Sequence, residues 1–134
     1  MKKIINLTIL LMLLAGCDGH GNSQLERIEV QKVSEEGNYE ETIMITDMER
    51  IDLIKETFIE VNWEPNTKAE MARKEDLLAA LFYSFDKNMP ERLYEYRIWF
   101  NSNETATIIS NNEKEGYGKL DKENAEKLKE NLLN

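Results

Sequence analysis

The 134-residue chain has very few of the side chains on which most catalytic and metal sites depend, with one cysteine, Cys17, and one histidine, His20. Both lie near the N-terminus, so the rest of the chain cannot supply a Ser-His-Asp triad, a cysteine–histidine pair or a histidine zinc site. A single cysteine also excludes a disulfide within the chain. The fold must therefore be stabilised by packing.

Motifs for nucleotides and for calcium are incomplete. Gly116-x-Gly118 lacks the third glycine of a dinucleotide loop, and the sequence contains no P-loop. Residues 86–88 (DKN) begin like a calcium loop, but Pro90 and the missing glycine and distal glutamate break the pattern. We therefore expect a protein with no metal site and no cofactor.

Residues 1–16 have the organisation of a secretory signal peptide. Lys2 and Lys3 are followed by an almost wholly apolar run over residues 4–15. This run is shorter than the roughly 20 residues that a helix needs to cross a bilayer. It is also apolar on all sides, whereas a helix on the surface of a domain would be amphipathic. A basic start before a short apolar run predicts a signal peptide.

The signal ends in Leu14-Ala15-Gly16-Cys17, which resembles the lipobox of bacterial lipoprotein signal peptides at all four positions. The resemblance implies that lipoprotein diacylglyceryl transferase modifies the Cys17 thiol and that signal peptidase II cleaves between Gly16 and Cys17. The mature chain would then begin with an S-diacylglycerol cysteine, anchored on the extracytoplasmic face of the cell membrane. A structural thiol and a catalytic thiol are the alternative interpretations of Cys17.

Residues 18–24 (DGHGNSQ) are small and polar, which is typical of a flexible tether. Because Lys2 and Lys3 leave with the signal, 15 basic side chains remain against 26 acidic ones, a net charge of −11. Such a domain is repelled by nucleic acid and by anionic lipids. We expect no nucleic-acid partner, whereas a basic protein, a cation or a neutral ligand fits the charge. Acidity that serves only solubility fits it equally.

Residues 25–134 are long enough for one domain with its own core. Residues 25–33 and 41–46 are predicted to form strands, and residues 62–67 are predicted to form a loop. Between the second strand and the loop, Thr46 and Glu49 would form the capping box of a helix.

Residues 68–85 permit two interpretations, because KAEMARKED is rich in helix formers while LLAALFYSF is an apolar run. That run is followed by a polar loop with Pro90 and then by LYEYRIWF, an aromatic stretch of strand character. We predict a β-hairpin with strands at 77–85 and 93–101.

The C-terminal part predicts a strand at 105–110, a turn or short strand at 116–118, and a final helix capped by Asp121. On that helix Glu123 and Lys127 would form an i,i+4 pair. The order ββα-βββ-α predicts an α+β domain, a single antiparallel sheet with helices packed on one face.

The aromatic strand divides its side chains between two faces. The two sets are Tyr94, Tyr96, Ile98 and Phe100 on the core face and Leu93, Glu95, Arg97 and Trp99 on the other. Trp99 beside Arg97 and Glu95 is a candidate binding surface, and so is Trp63 beside Pro65. Either tryptophan can equally be covered by a neighbouring loop.

Three stretches, DKNMPERLYEYRIWF, TATIISNN and GYGKLDKENAEKLKENL, resemble the small Bacillus lipoproteins of the YhfM type. That family has no assigned biochemical activity. The resemblance therefore implies a Gram-positive lipoprotein and adds no catalytic residue.

Two functions remain, and we expect the first. A membrane-anchored binding or adaptor module, which is not an enzyme, should carry an exposed apolar patch on its sheet. A small cell-envelope hydrolase with paired carboxylates should instead carry a pocket with two facing acids, at least one of them with a raised pKa.

Overall fold

The computed structural model describes residues 24–84 and 91–134, which form one seven-stranded antiparallel sheet and two helices. The strands are β1 (Gln24–Lys32), β2 (Ile43–Ile45), β3 (Asn62–Glu64), β4 (Leu77–Ser84), β5 (Arg92–Phe100), β6 (Ala106–Ser110) and β7 (Tyr117–Leu120). The helices are α1 (Met48–Ile59) and α2 (Lys122–Leu133). The predicted α+β class is confirmed.

The strands lie in the order β2-β1-β4-β5-β6-β7-β3. Both helices pack on one face, because apolar side chains at helical spacing meet the alternate side chains of the strands. This core is formed by Ile51, Ile54, Leu128 and Leu132 of the helices and by Ile28, Val30, Leu77, Ala79, Ile98 and Ile108 of the sheet. We call the opposite face, which no described helix covers, the outer face.

A bulge in β1 allows two residues three positions apart to enter the same core. The register against β4 shifts between Leu25 and Arg27, so that Glu26 is the extra residue. An extra residue reverses the alternation of side chains. Leu25 and Ile28 are therefore both buried, while Arg27 lies on the outer face.

β4 and β5 form the predicted hairpin, with Leu77 registered against Ile98 and Tyr83 against Arg92. The first strand begins at the predicted residue, and the predicted strand residue Phe85 lies outside the described residues. The second strand begins and ends one residue earlier than predicted. Burial of every second β4 side chain along one sheet face outweighs the modest helix propensity of this run.

The first helix is capped by Asp47, and the capping box predicted at Thr46 is wrong. The Asp47 carboxylate accepts a hydrogen bond from the backbone N–H of Glu49 at 3.2 Å. A charged acceptor suits the positive end of a helix better than a hydroxyl does. At α2 the predicted cap is confirmed, since Asp121 accepts from the N–H of Asn124 at 2.9 Å.

The predicted i,i+4 pair on α2 is also present, with 3.5 Å between Lys127 Nζ and Glu123 Oε1. Neither helix in the two described ranges is long and apolar enough to cross a membrane.

The loop predicted over 62–67 is wrong in its first half, because these residues form the edge strand β3. Trp63 is registered with Gly118 of β7. A Cβ on Gly118 would lie 2.6 Å from the indole, so a glycine is needed for the ring to pack there. Only a tertiary contact with a distant strand makes this short segment extended.

Candidate functional site

The two predicted faces of β5 are confirmed by its register with its neighbours. Ile98 lies opposite Leu77 and Ile108 in the core, whereas Arg97 lies opposite Leu78 and Ile109 on the outer face. Three of the predicted surface residues, Glu95, Arg97 and Trp99, thus share one face. Trp63 lies on the helix-covered face, with its ring 6.0 Å from that of Tyr96.

Trp99 is fully buried, although it belongs to the outer face. It is covered by the chain that enters β4, and its indole Nε1–H donates to the carbonyl of Arg73 at 2.9 Å. The ring is therefore not a ligand platform in this structure. The ring instead supports the side chain of Arg97, which packs over it.

The covering chain is the 73–76 segment, a run of four charged residues (RKED). Asp76 Oδ2 accepts from the backbone N–H of Phe100 at 2.7 Å, and Asp76 also binds the guanidinium of Arg73 at 2.7 Å. Burial raises the pKa of the Asp76 carboxyl, but the hydrogen bonds from Arg73 and Phe100 outweigh burial, so the pKa is lowered. Lys74 Nζ donates to the carbonyl of Gly37 at 2.6 Å. These bonds fix the segment at both ends.

Glu75 is the buried carboxylate at the centre of this arrangement, with a side chain that is 0% exposed. Its Oε2 accepts from the Tyr39 hydroxyl at 3.0 Å and from Nε of Arg97 at 3.1 Å. Burial raises the pKa of Glu75, but the bond from Arg97, a bond from the Glu75 backbone, the bond from Tyr39 and the positive charge of Arg97 outweigh burial, and the pKa is lowered. Oε1 has no hydrogen-bond partner among the described residues.

Arg97 is half exposed and held on two sides. Its Nε is bound to Glu75, and the guanidinium carbon lies 5.1 Å from the centre of the Trp99 ring. Within the described residues, its two terminal nitrogens, Nη1 and Nη2, donate to no acceptor. The N–H groups of Nη1 and Nη2 that point away from Nε are therefore parallel donors on a guanidinium that Glu75 and Trp99 hold in place.

The outer face carries apolar side chains that are separated by charged ones, and we call this set the outer patch. Its members are Met44, Leu78, Phe82, Leu93 and Ile109. Met44 and Leu93 are 57% and 42% exposed, and the other three are half-buried. Charged side chains are interspersed with them, since Arg27 lies 3.9 Å from the centre of the Phe82 ring.

Acidic side chains also line a groove of about 410 Å³ between the two helices. Glu56 of α1, Glu60 at the C-cap of α1 and Glu123 of α2 line this groove, and all three are exposed to water. Across residues 24–84 and 91–134 there is no cluster of three histidine, cysteine or acidic residues that could hold a metal ion.

Sequence reasoning found Arg97 and Glu95 but missed Glu75 and Tyr39. Glu75 is one of 26 acidic residues, and nothing in its local sequence separates it from exposed neighbours. The one available signal is its position two residues before a buried strand. Gly16 and Cys17, the predicted cleavage and lipidation site, lie outside the described residues.

No family model matches this chain, and no curated protein matches it. Its fold is similar to the crystal structure of a thioesterase-like protein from Clostridium sporogenes ATCC 15579, with a TM-score of 0.54 and 23% identity. The match covers 82% of this chain and 95% of that one. At this identity the likeness concerns the fold alone.

Proposed function

We propose that this protein is a membrane-anchored, extracytoplasmic lipoprotein whose acidic α+β domain binds a protein partner through its outer face. The observation that carries the proposal is the outer patch, a set of apolar side chains on the face of the sheet that no described helix covers. Apolar side chains on an uncovered sheet face, with charged side chains between them, fit a protein interaction site.

The anchor and the patch have a simple spatial relation in this proposal. A seven-residue tether from Cys17 spans roughly 14–16 Å, and it leads into β1 at Gln24, which is registered with Ser84. That end of the sheet then lies toward the membrane. The outer patch runs across the strands, so a neighbouring membrane-associated protein can reach it from the side.

Lipidation is tested by replacing Cys17 with serine in the full chain and feeding cells a labelled fatty acid. We expect the wild-type chain to be labelled and shortened, and Cys17→Ser to remain an unlabelled precursor. Normal labelling of the variant would contradict the anchor.

The binding surface is tested with a photo-crosslinking amino acid at Leu93 in the full chain. The matched control is position 53, because Leu53 is also an exposed leucine (49%) but lies on α1. We expect one discrete adduct from position 93 and none from position 53. The adduct should vanish when Met44→Lys is added and persist with Leu53→Lys. Equal adducts from both positions would disprove the proposed face.

The alternative is a small cell-envelope hydrolase with paired carboxylates, and the likeness to a thioesterase-like protein is the observation that favours it. The best candidates for paired carboxylates are the adjacent residues Glu75, which is buried, and Asp76, which is half-buried. Both have lowered pKa values, and each forms an ion pair with an arginine. A general acid needs the opposite shift. Hydrolysis of an acyl thioester or ester by the purified chain, lost in Glu75→Gln, would favour the hydrolase.

A further inference from the structure

Arg97 is a side chain on the outer face whose two terminal nitrogens are not used by any described residue. We propose that it receives a carboxylate, the side chain of an aspartate or glutamate on the protein partner, through Nη1 and Nη2. This inference rests on the proposed binding function and names the chemistry of the partner at that surface.

The donors are suited to a carboxylate by their number and geometry. Glu75 occupies Nε only, at 3.1 Å, and leaves the outer edge of the guanidinium with two parallel N–H groups. Such an edge matches the two oxygens of a carboxylate, and these paired, charge-assisted bonds are among the strong ones in proteins. A phenol, an amide or a sugar hydroxyl would leave one of the donors unmatched.

The guanidinium is also fixed before any partner arrives. Its planar group packs over the buried Trp99 indole at 5.1 Å, and its Nε is bound to a buried carboxylate. A long arginine side chain normally loses conformational freedom when it binds, and a pre-ordered one has less to lose. Arginine residues held in this way are frequent energetic centres of protein interfaces.

The side chains around Arg97 indicate which partner groups should lie next to the partner's carboxylate. Its cross-strand neighbours, Leu78 and Ile109, are half-buried apolar side chains, so the partner residue should be flanked by apolar groups. Glu95 is exposed on the same face, two residues away. A second acid on the partner at that point would be repelled, and a neutral or basic group fits. The net negative charge of the domain acts over longer distances and is screened at physiological salt.

The test uses the isotope-labelled full chain in nonionic detergent and two tripeptide probes, acetyl-Leu-Glu-Leu-amide and acetyl-Leu-Gln-Leu-amide. The Trp99 indole N–H and the Arg97 Nε–H resonances report binding, and the rest of the spectrum reports the fold. We expect the glutamate peptide to shift both signals and the glutamine peptide to bind at least tenfold more weakly. Equal shifts by the two peptides would overturn the proposal.

Three variants and one further probe refine the result. Arg97→Lys keeps the charge without the paired donors and should lower the affinity for the glutamate peptide several-fold. Arg97→Gln should abolish binding of this peptide. Glu95→Gln should raise the affinity, because it removes a negative charge beside Arg97. Unchanged binding in Arg97→Gln would overturn the assignment. Tighter binding of acetyl-Leu-Leu with a free C-terminus would show that a chain terminus, and not a side chain, is the partner group. If the peptides fail while the Leu93 adduct persists, the carboxylate is wrong and the docking face remains.

Discussion

The hydroxyl of Tyr39 donates a 3.0 Å hydrogen bond to the carboxylate of Glu75, which lies 36 residues further along the chain. The same oxygen of Glu75 accepts from Arg97, in a strand that follows later still. One carboxylate thus joins the connection between β1 and β2, the entry to β4 and the outer side of β5. This junction keeps the 73–76 segment over Trp99.

The first prediction concerns the pH dependence of stability. The pKa of Glu75 is lowered in the folded chain relative to the ordinary value of a glutamate. Its stabilising contribution is therefore fully present above the unfolded pKa and is lost as the pH falls through the lower folded pKa. In Glu75→Gln, the free energy of unfolding measured with urea should fall less steeply between neutral and acidic pH than in the wild type.

The matched control for that series is Glu104→Gln. Glu104 also has a lowered pKa, through its bond with Lys122, but both side chains are largely exposed. Exposed pairs contribute little and are screened by salt. At high salt Glu104→Gln should leave the pH profile unchanged, and a profile altered equally by both variants would contradict the special position of Glu75.

The second prediction concerns two glycines that are needed for different reasons. A Cβ on Gly118 would lie 2.5 Å from Cγ1 of Val61, inside the core, so Gly118→Ala should cost about 2–3 kcal/mol of unfolding free energy. Gly37 has room for a Cβ but a φ of +87°, so Gly37→Ala should cost about 1 kcal/mol. Adding Val61→Ala should recover part of the stability lost in Gly118→Ala and none of that lost in Gly37→Ala.

The third prediction separates two adjacent residues at the start of α1. Asp47→Ala removes the N-cap acceptor and should cost about 1 kcal/mol. Thr46→Ala removes a side chain that is not the cap, and it should change the unfolding free energy by less than about 0.5 kcal/mol. If Thr46→Ala lowered the free energy of unfolding more than Asp47→Ala does, Thr46 and not Asp47 would be the N-cap of α1.

The fourth prediction uses the only two tryptophans as reporters. In Trp63→Phe the remaining emission comes from Trp99, which is fully buried and should emit at short wavelength and resist quenching by iodide. In Trp99→Phe the half-buried Trp63 should be quenched more readily. Efficient quenching of Trp99 in the folded chain would mean that the 73–76 segment does not cover it.

Most of the sheet follows from local patterns, because strand alternation and a proline-containing loop determine the β4–β5 hairpin. β3 could not be predicted, since only its pairing with the distant Gly118 makes it a strand. The residues of KAEMARKED do favour a helix, as the sequence indicates. This preference is outweighed because the charged residues 73–76 form hydrogen bonds with Gly37, Arg97 and Phe100. These partners lie more than 20 residues away, and no local pattern encodes them.

β1 is the first strand in the described part of the chain, and it has eight registered partners in β4 and three in β2. A pull at Gln24 along the strand loads these pairs together as a shear, whereas a pull across the strand opens them one at a time. Single-molecule extension between Gln24 and the far end of β4 should therefore need more force than extension between Gln24 and Ser84, its registered neighbour. Because β1 lies between β2 and β4, tension applied at Gln24 is shared between two neighbouring strands, and shear along β1 should meet more resistance than the peeling of an edge strand.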